Sequence, residues 1–308
     1  MKKRVLGFVL TAAMTVVLAG CGQASSASAT EKAAEPVKEE TAQAENKTED
    51  AAGSGEVRKI RIASSSSAVP FSYYDENGNK TGYEIEVIKL VDEALPQYEF
   101  EYYDGEQEAI YTGLSTGKYD IALTNAYYTT KRAENYEIPE NPIGASPAGL
   151  IVSKENADIT SLEAAATAGL KPAPYLAGDG NTYQYQKYNE EHPDNQLELS
   201  YTSDENAFSN AIVAVAEGRY GCHLTPVSRW TTVIEPEDGA LHEYYDKLSY
   251  TPVISISTFP IIAKGETQLT QDISEVLGQL KEDGTLEKIA TEFYGFNPFD
   301  LNSTLTEG

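Results

Sequence analysis

An α/β fold with helix-covered sheets is predicted by two observations: strand-like and helix-like patterns alternate along the chain, and the stretch over 57–297 is long enough for two packed lobes. The first strand pattern is Lys59-Ile60-Arg61-Ile62-Ala63, where charged and apolar residues alternate. Phe71-Ser72-Tyr73-Tyr74 and Gly82-Tyr83-Glu84 flank Asp75-Glu76-Asn77-Gly78, a hairpin signal. Ile85, Ile88, Val91 and Leu95 recur at helical spacing over 85–95 and stop before Pro96. A second helix over 109–116 ends at Gly117 as its cap, and a strand over 119–123 follows. Further strands are predicted over 149–152, 197–201 and 254–263, with helices over 183–191, 206–217, 269–282 and 286–294. No internal repeat is present.

The start of the chain reads as an address. Lys2, Lys3 and Arg4 precede an apolar run over 5–18 and then Ala19-Gly20-Cys21, the order of a secretory signal peptide over 1–20. The run is shorter than the roughly 20 residues needed to cross a bilayer. Leu18-Ala19-Gly20-Cys21 resembles the bacterial lipobox, which implies a lipidated Cys21; an ordinary signal peptide carrying a cysteine is the alternative. Two acyl chains on Cys21 would give stable anchoring where one is marginal. Residues 22–56 are rich in Ala, Glu, Ser, Thr and Lys and hold no aromatic residue, so 21–56 reads as a disordered tether. A coil of that length reaches roughly 30 Å. Residues 298–308 read as a C-terminal tail.

The net charge of −25 excludes nucleic acid and anionic membrane surfaces as partners, leaving the N-terminal lipid as the membrane contact. With Cys21 lipidated, Cys222 has no partner for an intrachain disulfide; it reads as a buried strand residue, the alternative being a reactive thiol beside His223. Gly113-Leu114-Ser115-Thr116-Gly117-Lys118-Tyr119 evokes a phosphate loop but has three residues between its glycines and lacks the metal-binding Ser or Thr. Asp75, Asn77, Asn79 and Glu86 fit part of a calcium-loop template, but Lys80 stands where Gly is needed and strands flank it. His192, His223 and His242 are scattered, and no nucleophile elbow appears. No metal, cofactor or catalytic set is expected, and the protein reads as a non-enzyme.

Six motifs in order carry a family resemblance. They are Pro70-Phe71-x-Tyr73-x-Asp75-Glu76-x-Gly78 with Gly82-Tyr83-Glu84-Ile85-Glu86; Leu114-Ser115-Thr116-Gly117-Lys118-Tyr119-Asp120; Thr129-Thr130-Lys131-Arg132-Ala133; Glu217-Gly218-Arg219-Tyr220; Asp283-Gly284-Thr285-Leu286-x-Lys288-Ile289; and Phe293-Tyr294-Gly295. Together they resemble the polar amino-acid solute-binding proteins of ABC importers, family 3, in a divergent lipoprotein branch. The resemblance implies a two-lobe periplasmic-binding-protein fold of type II, with a ligand cleft between the lobes. Lobe 1 would comprise 57–146 and 254–297, and lobe 2 would comprise 147–253. Ligands of open α/β sheets bind at the carboxyl ends of strands, which puts the cleft near 124–132 and 180–182.

In that family an arginine at the position of Arg132 forks onto the ligand's α-carboxylate, which suits the paired donors of a guanidinium; a surface arginine beside Lys131 is the alternative. Asn181 and Thr182 open a helix whose free N–H groups favour an anion, and Thr182 matches the family's hydroxyl there; a plain N-cap is the alternative. Asn125 and Tyr127 match strand-end positions that line the ligand. Three departures stand out: Pro226 aligns with the usual acidic residue for the ammonium, and Ala68 and Gln107 align with the residues that sandwich the ligand side chain. The pocket is expected to be roomier and more polar there, with Phe71, Tyr127 or Tyr128 as a stacking face. A bulky polar amino acid such as cystine fits this reading. The resemblance implies a monomeric, lipid-anchored receptor on the extracytoplasmic face of the bacterial cell membrane, delivering an amino-acid-like solute to an ABC permease. A sensory or adhesive module on the same fold is the alternative, followed by a dehydratase-like enzyme.

Overall fold

The computed structural model describes residues 57–176 and 180–301, without the side chain of Asn181. The predicted signal peptide, Cys21, the tether over 21–56 and tail residues 302–308 lie outside the described residues. The predicted α/β fold is what forms. In chain order the elements are β1 (Arg58–Ser64), β2 (Ser67–Ala68), β3 (Ser72–Tyr74), β4 (Lys80–Thr81), α1 (Tyr83–Ala94), β5 (Tyr98–Asp104), α2 (Gln107–Ser115), β6 (Ile121–Tyr127), α3 (Thr130–Asn135) and β7 (Gly144–Ser153). There follow α4 (Leu162–Thr167), β8 (Tyr175–Leu176), α5 (Gly180–Glu191), β9 (Tyr201–Thr202), α6 (Ala207–Ala216), β10 (Cys222–Pro226), α7 (Val227–Arg229), β11 (Leu248–Ile262), α8 (Thr267–Glu282) and α9 (Thr285–Tyr294).

One six-stranded sheet in the order β10-β7-β11-β6-β1-β5 is the frame. β1 runs parallel to β5 and β6, whereas β11 is antiparallel to both β6 and β7, and β10 is antiparallel to β7. Helices cover both faces at both ends, giving two lobes. At one end α1, α8 and α9 pack on Ile60, Ile62 and Leu123, while Ile110 and Leu114 of α2 cover Ala63 and Ala122 on the other face. At the other end Tyr185 and Tyr188 of α5 pack with Leu150 and Leu224, and Ile212 and Val215 of α6 pack with Ile151 and Trp230. Each such fully buried aliphatic contributes about 1.5–3 kcal/mol through loss of apolar contact with water. The predicted lobe boundaries fall inside the β7–β11 pair, where Ser146 faces Ile256 and Ala148 faces Ile254.

Several boundaries differ from the sequence expectation for identifiable reasons. α1 begins at Tyr83, not Ile85, because the Tyr83 and Glu84 amides donate to the Pro70 and Phe71 carbonyls. Gly82 just before it has φ 118°, and a Cβ there would lie 2.4 Å from the Phe71 oxygen. β5 carries only one buried residue, Phe100, so its alternation is hard to see in sequence. β6 starts and ends later than the predicted 119–123. The expected strand over 197–201 shrinks to β9: the Asn189 side chain takes the Leu197 amide and donates to its carbonyl, both at 2.8 Å, in place of a strand neighbour. The hairpin β3–β4 is closed by Asp75, whose carboxylate accepts from the Asn77 and Asn79 amides. Those bonds, Asn79's first, hold the Asp75 pKa below the usual carboxylate range.

Cys222 and His223 are buried side by side in β10. Burial pushes the thiol up to about 12 and the imidazole down to about 3, so neither is poised for chemistry at neutral pH. The His223 ring stacks on Tyr175 with centroids 4.5 Å apart. Among the described residues there is no cluster of His, Cys, Asp and Glu able to hold a metal ion, and no helix long and apolar enough to cross a membrane.

Candidate ligand-binding site

The carboxyl ends of β1, β5 and β6 lie at one edge of the sheet, and the chain segments leaving them carry most of the candidate residues. Ala68 sits in β2 just after β1, and Gln107, exposed, opens α2 just after β5. β6 overhangs furthest. Its pairing with β1 covers only Ile121, Ala122 and Leu123, so 124–127 project past that neighbour.

The overhang is irregular on its other side too. β11 pairs Ile261 with Ala122 and then Phe259 with Ala126, leaving 123–125 of β6 opposite Pro260 alone. Proline has no N–H for the ladder, and a bulge re-aims the residues it contains. Asn125 stands there with φ 50°, the left-handed region that asparagine tolerates better than most residues. Its amide N–H turns to the carboxyl of Glu84, at 3.1 and 3.2 Å from the two oxygens. Its side-chain Nδ2 donates to Ser146 Oγ on β7 at 3.0 Å, and its Oδ1 is buried without a hydrogen-bond partner among the described residues.

Past β6, Thr129 caps α3: its hydroxyl accepts the Arg132 amide at 3.1 Å. The guanidinium folds back over the end of β6, where Nη1 donates to the Tyr127 carbonyl at 2.7 Å. Arg132 and Tyr127 are thus brought together. One bond to a neutral acceptor fixes the fork's position and leaves its charge uncompensated by any salt bridge among the described residues, as recognition of a carboxylate requires.

The remaining candidates are dispersed. Phe71 is 6% exposed and its ring packs against Tyr294 with centroids 6.4 Å apart. Little of its ring is open to solvent. Thr182 is buried in the first turn of α5, where its hydroxyl donates to the Leu176 carbonyl at 3.3 Å. No hydrogen bond among the described residues joins it to the β6 end, and the Asn181 side chain lies outside the described residues. Pro226 ends β10 opposite Ala148. A cavity of about 910 Å³ lies between α2 and α3 and reaches the start of β6, lined by Arg132 with Arg61, Tyr111, Asp120, Tyr136 and Lys264. It takes in none of the other candidates.

Glu84 and Ser146 were not singled out from sequence. Glu84 is 1% exposed, and burial raises its pKa to about 8, opposed by the Asn125 amide. A signal was present: Glu84 precedes Val87, Ile88 and Val91 by three, four and seven residues, which places it on the buried face of α1. Two tyrosines beside it hold the start of β7: Tyr83 Oη donates to the Ile143 carbonyl at 3.0 Å and Tyr294 Oη to the Ala145 carbonyl at 3.1 Å. Gly144 between them leaves no room for a side chain, since a Cβ would lie 2.1 Å from the Tyr83 ring.

Residues 60–296 match the bacterial extracellular solute-binding proteins, family 3. The chain is 25% identical over 227 residues to the L-cystine-binding protein TcyJ of Bacillus subtilis, covering 73% of this chain and 79% of that protein. A solved structure from work on glutathione import via GshT and the cystine ABC importer TcyBC of Streptococcus mutans is similar. It shares 29% identity at a TM-score of 0.53, over 78% of this chain and 96% of that one. The L-cystine solute receptor of Neisseria gonorrhoeae, in its unliganded open conformation, shares the fold. Its TM-score is 0.56 at 20% identity, over 79% and 95% of the two chains.

Proposed function

Because the chain belongs to the bacterial extracellular solute-binding proteins, family 3, we propose that it captures a bulky polar amino acid, cystine or a close analogue, for an ABC importer. The observation that carries this reading is Arg132, its guanidinium anchored on the Tyr127 carbonyl at the carboxyl end of β6. An α-carboxylate accepting the rest of that fork, with Asn125 beside it, fits the α/β rule for ligand position. Ala68 and Gln107, small or polar where bulk could stand, leave room for a long substituent. The cystine-binding relatives favour the same ligand class. Thr182 and Asn181 would meet the ligand from the second lobe when 147–253 closes on 57–146 and 254–297.

A ligand that binds only the folded state stabilises it by mass action, about 2.7 kcal/mol at a hundredfold excess over Kd. For a domain of this size that is a rise in Tm of roughly 5–10 °C. A thermal-shift screen of cystine, single amino acids, small peptides and organic acids is therefore expected to single out cystine or its analogues. A rise only with acids lacking an α-amino group would overturn the amino-acid assignment.

The same proposal includes lipid anchoring at Cys21, with the protein held on the extracytoplasmic face of the membrane. Cys21→Ser is expected to abolish incorporation of labelled palmitate and to move the protein from the membrane fraction to the medium. Unchanged labelling would overturn the anchor.

A further inference from the structure

The strand-end bulge needs something to hold it, and the partner it has is unusual. An N–H removed from the sheet ladder and buried costs about 1–3 kcal/mol if left unmade. Asn125 gives that N–H to Glu84, a carboxyl group buried in the first turn of α1 and 41 residues away in sequence. The Glu84 carboxyl accepts from no other group among the described residues. Tyr83 from its own helix and Tyr294 from α9 lie within reach of its charge, with Tyr127 of β6 near Tyr294. These are phenols, un-ionised near neutral pH, and no salt bridge reaches Glu84 among the described residues. A surface location or an arginine partner would have solvated this carboxyl more cheaply. Its position instead serves an N–H that the bulge takes out of the ladder.

We propose that Glu84 is a positioning residue for the ligand site: through the Asn125 amide it holds the left-handed turn at the end of β6, and so aims Asn125 and the Tyr127–Arg132 pair at the ligand. This rests on the ligand reading above for its last clause, and on geometry alone for the rest. The bond tethers the base of the site to α1, while Asn125 Nδ2 links the same residue to Ser146 on β7. Glu84→Gln keeps an acceptor for the Asn125 N–H; Glu84→Leu removes it at similar volume.

The test is amide hydrogen exchange by NMR on the full folded chain of all three proteins. Asn125 is expected to stay protected in the parent and in Glu84→Gln, and to exchange at least tenfold faster in Glu84→Leu, with Ile121 and Ala122 unchanged. Equal Asn125 exchange in all three overturns the proposal, whatever the protein binds. If Glu84→Leu does not fold, the Asn125 amide shift is followed with pH: a titration in the parent that is absent in Glu84→Gln supports it, and a flat parent profile overturns it. With cystine as probe, affinity is expected to fall at least tenfold in Glu84→Leu and to recover within threefold in Glu84→Gln. A Glu84→Leu protein that melts earlier but binds cystine like the parent overturns the positioning role.

Discussion

Replacing Arg132 with alanine is expected to weaken ligand binding by about 30-fold or more while leaving the protein folded. Truncating one partner of a desolvated, hydrogen-bonded charge pair costs about 2–5 kcal/mol, because the other charge stays unpaired. At about 1.4 kcal/mol per tenfold, that is a loss of roughly 30-fold to several thousandfold. The cost to the fold is small: α3 contains no buried residue, and Arg132 gives up one bond to the Tyr127 carbonyl. Stability is expected to change by about 0.5 kcal/mol or less, as for most exposed substitutions. Arg132→Lys should recover only part of the affinity, since an ammonium lacks the paired donors of the guanidinium. Calorimetric titration with cystine, alongside a thermal melt, checks both halves. Affinity within threefold of the parent would remove Arg132 from the site.

The pH dependence of stability should change most at Glu84. Burial raises its folded pKa to about 8 from an ordinary 4.5. Between those values the folded protein holds a proton that the unfolded chain has released, so unfolding releases it. The stabilising contribution is complete below about pH 4.5 and is lost as pH rises through about 8. Each pH unit in that window lowers stability by up to about 1.4 kcal/mol, a few kcal/mol in all. Glu84→Gln cannot ionise and should lack this slope. Its stability relative to the parent should therefore rise with pH across the window, as read from urea midpoints between pH 4 and 9. Parallel curves for the two proteins would show that Glu84 ionises as an ordinary carboxyl.

The long amphipathic helices were legible in the sequence because a single face of each is apolar. α8 and α9 fall within two residues of their predicted starts. Elements without that contrast were not legible: β5 buries one side chain and α3 none. The candidate site was legible only in part, and the reason differs by residue. Arg132, Asn125 and Tyr127 lie close together in sequence, and Arg132 is held by a local bond to Tyr127, so motif order locates them. Glu84 acts across 41 residues on a backbone amide whose freedom depends on the irregular pairing of β6 with β11. A spacing rule reads side chains along one element and has no access to such a pairing. Phe71 shows a related difficulty: an aromatic beside a turn can face a ligand or a core, and its ring here meets Tyr294, more than 200 residues later.

The place of β11 in the sheet has a consequence for how the chain acquires its structure. This strand lies between β6 and β7, and pairs residues 248–262 with partners made about 95 to 140 residues earlier. Until it arrives, β6 and β7 each show a bare edge to the solvent, the kind that recruits other chains. Pairings across so long a loop form slowly. The vulnerable interval thus lasts until nearly all the folded chain has been made, and shortening the chain before β11 would leave two unfinished half-sheets rather than one smaller protein.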